Sequence, residues 1–162
     1  MSDHQTTSSV ERRTATTTVA ATVDQCYAVG VDVASYPNWI ESIAQVAIET
    51  TDADGNPSRV RFEASGLGRR SSYVLAYDLS DAPSALGWTL VSGDLARIIE
   101  GQYRFTDVSA EFSEPATQVD YELSIDLAVP LPAFVKRRAE DKIMEAALRR
   151  FKLEVERQSA GD

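Results

Sequence analysis

LPAFVKRRAEDKIMEAALRRFKLEVER, residues Leu131–Arg157, is one uninterrupted helix-forming segment of 27 residues. A four-residue spine runs through it: Val135, Ala139, Ile143, Ala147, Phe151 and Val155. Met144 and Leu148 widen that spine to a stripe on one face, the pattern of a helix lying on an apolar surface. Leu131-Pro132 falls just inside the expected start, where proline's missing N–H and fixed φ are tolerated. Nearly everything upstream has strand character, so a single amphipathic helix has an entire sheet to cover. A long helix gripping a curved sheet encloses space, and the pattern predicts a ligand cavity along with the fold.

Outward from the helix, the alternation of side chains assigns faces. Thr117–Leu127 sets Val119, Tyr121, Leu123 and Ile125 on one side. Arg97–Thr106 likewise groups Ile99, Gly101, Tyr103 and Phe105, and Arg69–Leu79 groups Tyr73, Leu75 and Tyr77. The opposite faces carry Glu100, Gln102, Arg104, Asp120, Glu122 and Asp126, a solvent side. Inner-face tyrosines are informative, since a buried phenol needs a partner for its hydroxyl. They are either core residues whose hydroxyls reach the rim, or the lining of a cavity where ligand or water serves. Gly101 in mid-strand predicts a bend or a close approach.

Three more strands are expected at Ile43–Thr51, Ser58–Ser65 and Leu86–Ser92. The first two are joined by Asp52-Ala53-Asp54-Gly55-Asn56-Pro57, a dense turn signal. Gly66-Leu67-Gly68, Asp81-Ala82-Pro83-Ser84 and Gly93-Asp94 mark further turns, and a looser loop ends at Pro115. Arg13–Ala21 is a Thr/Val-rich first strand. Asp24 is the expected N-cap of a short helix to about Val33, and Ser35–Trp39 reads as a second helical turn. Seven strands in consecutive hairpins with one covering helix make an α+β two-layer domain. It is expected to span residues 11–158, with tails at 1–10 and 159–162.

Composition removes whole classes of chemistry. Cys26 is the only cysteine and His4 the only histidine. There is accordingly no intramolecular disulfide, no Ser-His-Asp triad, no Cys-His pair and no histidine- or cysteine-based zinc site. Cys26 reads as a small buried apolar residue. Asp52 with Asp54 belongs to a turn, and Gly66-Leu67-Gly68 lacks the lysine and helix of a phosphate loop. No metal and no cofactor are expected. The net charge of −9 argues against nucleic acid as a partner. The terminal helix holds eight cations against five acids, a net +3 that leaves −12 for the rest of the chain. That helix is either a solvated face laced with pairs such as Glu145 with Arg149, or a contact surface at Lys136, Arg137 and Arg138. The polar N-terminus has no hydrophobic signal segment, and cytoplasmic localisation is expected.

Four local motifs resemble the START-like (SRPBCC) superfamily, in particular its polyketide cyclase/dehydrase and coenzyme Q-binding branch. They are Tyr36-Pro37-Asn38-Trp39, the strand LARIIEGQYRF (Leu95 to Phe105), TQVDYEL (Thr117 to Leu123), and the Pro130-Leu131-Pro132 entry to the last helix. The resemblance covers about residues 12 to 157. It implies a helix-grip fold: a seven-stranded curved antiparallel sheet wrapped around the C-terminal helix, with two short helices after the first strand. It also implies a deep apolar cavity lined by Trp39, Phe62, Tyr73, Leu75, Tyr77, Ile99, Tyr103, Tyr121, Leu123, Met144 and Leu148.

In aromatase/cyclases of that branch, two inner arginines and a tyrosine serve the chemistry. The resemblance sets these places on Tyr77, near Thr89, and on Ile43, none of which keeps the family residue. Arg69 and Arg97 are alternative rim cations. Tyr77 and Tyr73 are the candidate general acids, with no base to pair with them. The expected function is therefore binding of a hydrophobic small molecule (a lipid, quinone or polyketide) without catalysis. A cyclase-like enzyme is one alternative. Peripheral membrane or protein contact through Lys136, Arg137 and Arg138 is another, and oligomeric state stays open.

Overall fold

Strand β7, Thr117–Leu127, alternates without interruption between buried and partly exposed residues, since a two-residue repeat turns every second side chain to one face. In the computed structural model, which describes residues 12–66 and 68–161, β7 pairs on one flank with β1, Arg13–Val19. On its other flank lies β6, Ala96–Asp107. The remaining strands are β2 (Ile43–Thr51), β3 (Pro57–Gly66), β4 (Arg69–Asp78) and β5 (Ala85–Gly93). Together they form one curved antiparallel sheet in the order β1-β7-β6-β5-β4-β3-β2. Consecutive strands from β2 to β7 are neighbours, and only β1 joins from across the sheet. The strand ends fall within two residues of those expected from the sequence.

The turn chemistry explains the hairpins. The Asp52 carboxylate accepts the amides of Asp54 and Asn56 at 2.9 and 3.0 Å, and Gly55 takes the left-handed φ of +85°. Between β1 and β2 lie helix α1, Val23–Val31, and a 3-10 segment, Val33–Asn38. The cap of α1 is Thr22, not Asp24. Thr22 Oγ1 accepts from the Gln25 amide at 3.1 Å, while the Thr22 amide donates to the Gln25 side chain at 2.8 Å. This reciprocal box satisfies two amide donors and leaves Asp24 in the first turn, where its charge suits the helix dipole. A one-turn helix α2, Ser109–Phe112, occupies the loop before Pro115; four residues are too few to leave a periodic signal.

Helix α3, Ala133–Ala160, starts two residues later than expected, with Pro132 as its N-cap. It also runs on through Ala160, so residues 159 and 160 belong to the helix and not to a tail. The tail expected at 1–10, and Leu67 of the turn expected at 66–68, lie outside the described residues. A four-residue spine precesses about 40° per step on a helix of 3.6 residues per turn. Only its C-terminal part, Phe151 and Val155, therefore lands in the core. Earlier in the helix the core positions are Glu140, Met144 and Leu148, and Ile143 is left 40% exposed.

One flank of α3 is strapped to β1. Arg13 pairs with Glu140 (3.6 Å) and Asp141. Further along, Lys152 donates to the Thr18 carbonyl at 2.6 Å and to Glu156 at 2.9 Å. Glu156 in turn accepts the Ala20 amide at 2.9 Å. The intrahelical pairs that form are Lys152–Glu156 and Glu154–Arg157, not Glu145–Arg149. The principal packing partners of α3 are β1, β7 and α1, so the helix grips one side of the sheet and stands off the other. Among the described residues, no helix is long and apolar enough to cross a membrane.

Candidate functional site

Where α3 stands off the sheet, a cavity of about 590 Å³ opens, within the range of roughly 300–1,000 Å³ usual for small-molecule sites. Its inner wall is Phe62 from β3, Tyr73, Leu75 and Tyr77 from β4, and Trp88 from β5. Ile99 and Tyr103 from β6, and Tyr121, Leu123 and Ile125 from β7, complete that wall. Tyr36 of the 3-10 segment enters from the side. The mouth is framed by Ile40 to Ile43 and by Ser65 and Gly66, two segments tied together where the Ser65 amide donates to the Ser42 carbonyl at 2.8 Å. Facing them are Lys142, Ile143, Ala146, Ala147 and Arg150 on the free flank of α3.

Eight of the residues expected at this site do line the cavity: Phe62, Tyr73, Leu75, Tyr77, Ile99, Tyr103, Tyr121 and Leu123. Trp39, Met144 and Leu148 do not. Trp39 packs edge-on against Tyr36 at 5.3 Å and leans on Phe151 at 6.3 Å, behind the wall. Met144 and Leu148 point into the core, because the precession of the helix hands the lining role to Ile143, Ala146 and Ala147. Trp88 was legible from the alternation Leu86, Trp88, Leu90 along β5. Lys142 and Arg150 were not legible, because the flank they occupy depends on the helix's rotation.

Gly101 makes a close approach. A Cβ there would stand 2.7 Å from Trp88 Cζ2 and 2.8 Å from the Glu122 carbonyl oxygen, so the indole ring lies directly over the β6 backbone. The ring then contacts Tyr103 and Tyr121 at centroid distances of 5.5 and 6.0 Å, and these two stack at 4.8 Å. Tyr103 also stacks on Phe151 of α3 at 4.6 Å. This aromatic block fixes the wall on which the cavity rests.

The phenols are uniformly disfavoured as anions. Burial pushes Tyr73 up to about 12. Burial, reinforced by neighbouring phenols, raises Tyr36, Tyr77, Tyr103 and Tyr121 as well. Tyr36 donates to the Gly30 carbonyl and interacts with the Tyr77 hydroxyl. Among the described residues, the hydroxyls of Tyr73, Tyr103 and Tyr121 have no protein partner, and none is sealed from the cavity. They are neutral groups available to a guest. Cys26 is fully buried outside the cavity, its thiol pushed up to about 11 chiefly by desolvation, which makes it unreactive.

Among the described residues, charge enters the cavity only at its mouth. Glu41 and Arg150 pair at 2.8 Å across it, from the loop to the helix. Lys142 has no acidic partner among the described residues. Tyr77 sits in the deep wall, Ile43 at the mouth, and Thr89 on the exposed face of β5. Arg69 and Arg97 are exposed and do not line this cavity, Arg97 standing 3.9 Å from Asp126. Lys136 is engaged with Asp126 at 2.7 Å, while Arg137 and Arg138 face solvent.

Solved structures of similar shape share this architecture at low identity. A START superfamily protein from Mycobacterium smegmatis superimposes with a TM-score of 0.79 at 21% identity, over 91% of this chain and 98% of that one. The Zhui aromatase/cyclase from Streptomyces sp. R1128 gives 0.77 at 18% identity, over 93% and 96%. A protein from Thermus thermophilus gives 0.74 at 17%, over 94% and 100%. No curated protein matches by sequence. The family model described as polyketide cyclase / dehydrase and lipid transport matches residues 11–156. With nearly the whole domain matched and the helix-grip architecture in place, the chain belongs to the polyketide cyclase/dehydrase and lipid transport family.

Proposed function

We propose that this protein binds a hydrophobic small molecule, of lipid, quinone or polyketide type, in the cavity beneath α3 and does not transform it. The observation that carries this reading is the composition of the inner wall: aliphatic and aromatic surface interrupted only by neutral phenols. A guest burying about 300 Å² of apolar surface gains roughly 7 kcal/mol at ~25 cal/mol per Å², before the cost of association. A phenol hydrogen bond adds about 1 kcal/mol. The walls therefore set affinity and the phenols set orientation.

Tyr73 and Tyr77 are donors held neutral by burial, and among the described residues no carboxylate or imidazole lines the deep cavity to take or return a proton. That arrangement supports binding over acid–base turnover. Native mass spectrometry of the purified protein, followed by solvent extraction, tests the reading. An apolar molecule released on denaturation is the expected result. A bare chain that also takes up no apolar dye would overturn it.

A further inference from the structure

The mouth of the cavity differs in charge from the body that surrounds it. Of the residues lining the cavity only three are charged, Glu41, Lys142 and Arg150. Two cations against one acid leave the mouth net positive in a chain of net −9. Glu41 is an exposed carboxylate, its side chain 81% accessible, and it already sits 2.8 Å from Arg150. Lys142 has no acid of its own among the described residues, although α3 carries Glu140, Asp141 and Glu145 close by in sequence. Glu140 and Asp141 are drawn to the opposite flank by Arg13. Ser42 and Ser65 add two hydroxyl-bearing positions to the same rim. Among the described residues, the interior beyond that rim is uncharged, and apolar apart from its phenol hydroxyls.

We infer that the ligand is an amphipathic carboxylic acid, with its hydrocarbon or ring portion inside and its carboxylate at the mouth, held by Lys142 and Arg150. Glu41 is then an internal stand-in for the ligand's acid: the incoming carboxylate takes its place on Arg150, and Glu41, at an exposed edge, swings to water at little cost. Arg150 suits this exchange because its planar fork donates to either carboxylate in the same geometry. The acidic body confines the attraction to short range, since charges beyond about 8 Å are screened at physiological salt. The mouth therefore selects among molecules that have already reached the cavity and does not gather them from a distance. This inference rests on the cavity being a hydrophobic binding site, and it adds which end of the ligand lies outward and what charge it carries.

Displacement of the neutral dye Nile red by a medium-chain fatty acid, its methyl ester and its alcohol, at fixed pH and low salt, tests it. The acid is expected to compete about tenfold more strongly than ester or alcohol. Lys142→Gln with Arg150→Gln should erase that preference, and a cooperative unfolding transition with a midpoint close to the parent's shows that the variant is folded. Glu41→Gln should strengthen binding of the acid a fewfold relative to the ester. Equal competition by acid and ester in the unaltered protein, or a preference that survives the double substitution, would overturn the assignment while leaving the cavity reading intact. Failure of the dye and all three competitors to bind would remove both.

Discussion

Tyr103 and Tyr121 carry hydroxyls without a protein partner among the described residues, yet both rings are buried and stacked on each other. Replacing either with Phe keeps the stacking and removes only a polar atom. Tyr103→Phe and Tyr121→Phe should therefore leave stability within about 1 kcal/mol of the parent in urea unfolding, while weakening a guest with a polar inner end severalfold. A loss of several kcal/mol would mean that these hydroxyls serve the fold. Gly101 is the opposite case. Gly101→Ala drives a methyl into Trp88 and into the immovable Glu122 carbonyl, and a loss of about 2 kcal/mol or more is expected. The raised phenols also set a pH dependence. Their ordinary value is 10.0 and their folded values lie above it, Tyr73 at about 12. Below pH 10 neither folded nor unfolded chain is charged at these groups, and stability is unaffected. Above pH 10 the unfolded chain releases its phenolic protons first, and stability falls as pH rises. An ultraviolet titration should show Tyr27 ionising ahead of the other five, since burial raises it but shields it far less; early ionisation of several tyrosines in the folded protein would contradict the buried wall.

Helix α3 is the element on which the site depends, and its three faces do different things. One is core, one is tied to β1, and one looks into the cavity. Glu140 lies on the core face with one carboxylate oxygen buried and unpartnered, and desolvation raises its pKa despite the opposing pull of Arg13. Above its ordinary value of 4.5 the folded state pays to keep this group charged, whereas the unfolded state does not. Glu140→Gln should consequently raise stability at pH 7, Arg13 retaining Asp141 as its partner, and that gain should vanish below about pH 4.5. A Gln variant less stable at pH 7 would show that the Arg13 pair outweighs desolvation. The strands were legible almost to the residue because a period of two does not drift: Val119, Tyr121, Leu123 and Ile125 share a face from one end of β7 to the other. The helix was legible as an element, but not its rotation. A stride of four slips against a period of 3.6, so Val135 to Val155 is a spiral, and the choice between Met144 and Ile143 for the cavity falls to packing against β1. The cap of α1 was open to reading, since Thr22 and Gln25 stand three apart as a capping box requires, but Asp24 offers a competing capping side chain two residues on.

At the scale of the whole molecule, the asymmetric grip of α3 leaves the space. The helix is bound to β1, β7 and α1, and the sheet curves away beneath its other flank. The sequence motifs led to the family, and eight of the eleven wall residues they implied meet around one cavity, because inner-face positions on neighbouring strands of a curved sheet necessarily converge. The charged mouth was beyond sequence reading, since Glu41 and Arg150 are 109 positions apart and meet only when the helix is docked. The central claim is that this cavity is a binding site and not idle volume. Ala147 faces it from α3 and is only partly buried, packing against the margin of the core, so Ala147→Trp directs its added ring into the cavity and fills the space. Nile red binding should fall at least tenfold in this variant while its unfolding transition stays cooperative with a midpoint close to the parent's. Undiminished dye affinity in the folded variant would place the binding elsewhere and contradict the account.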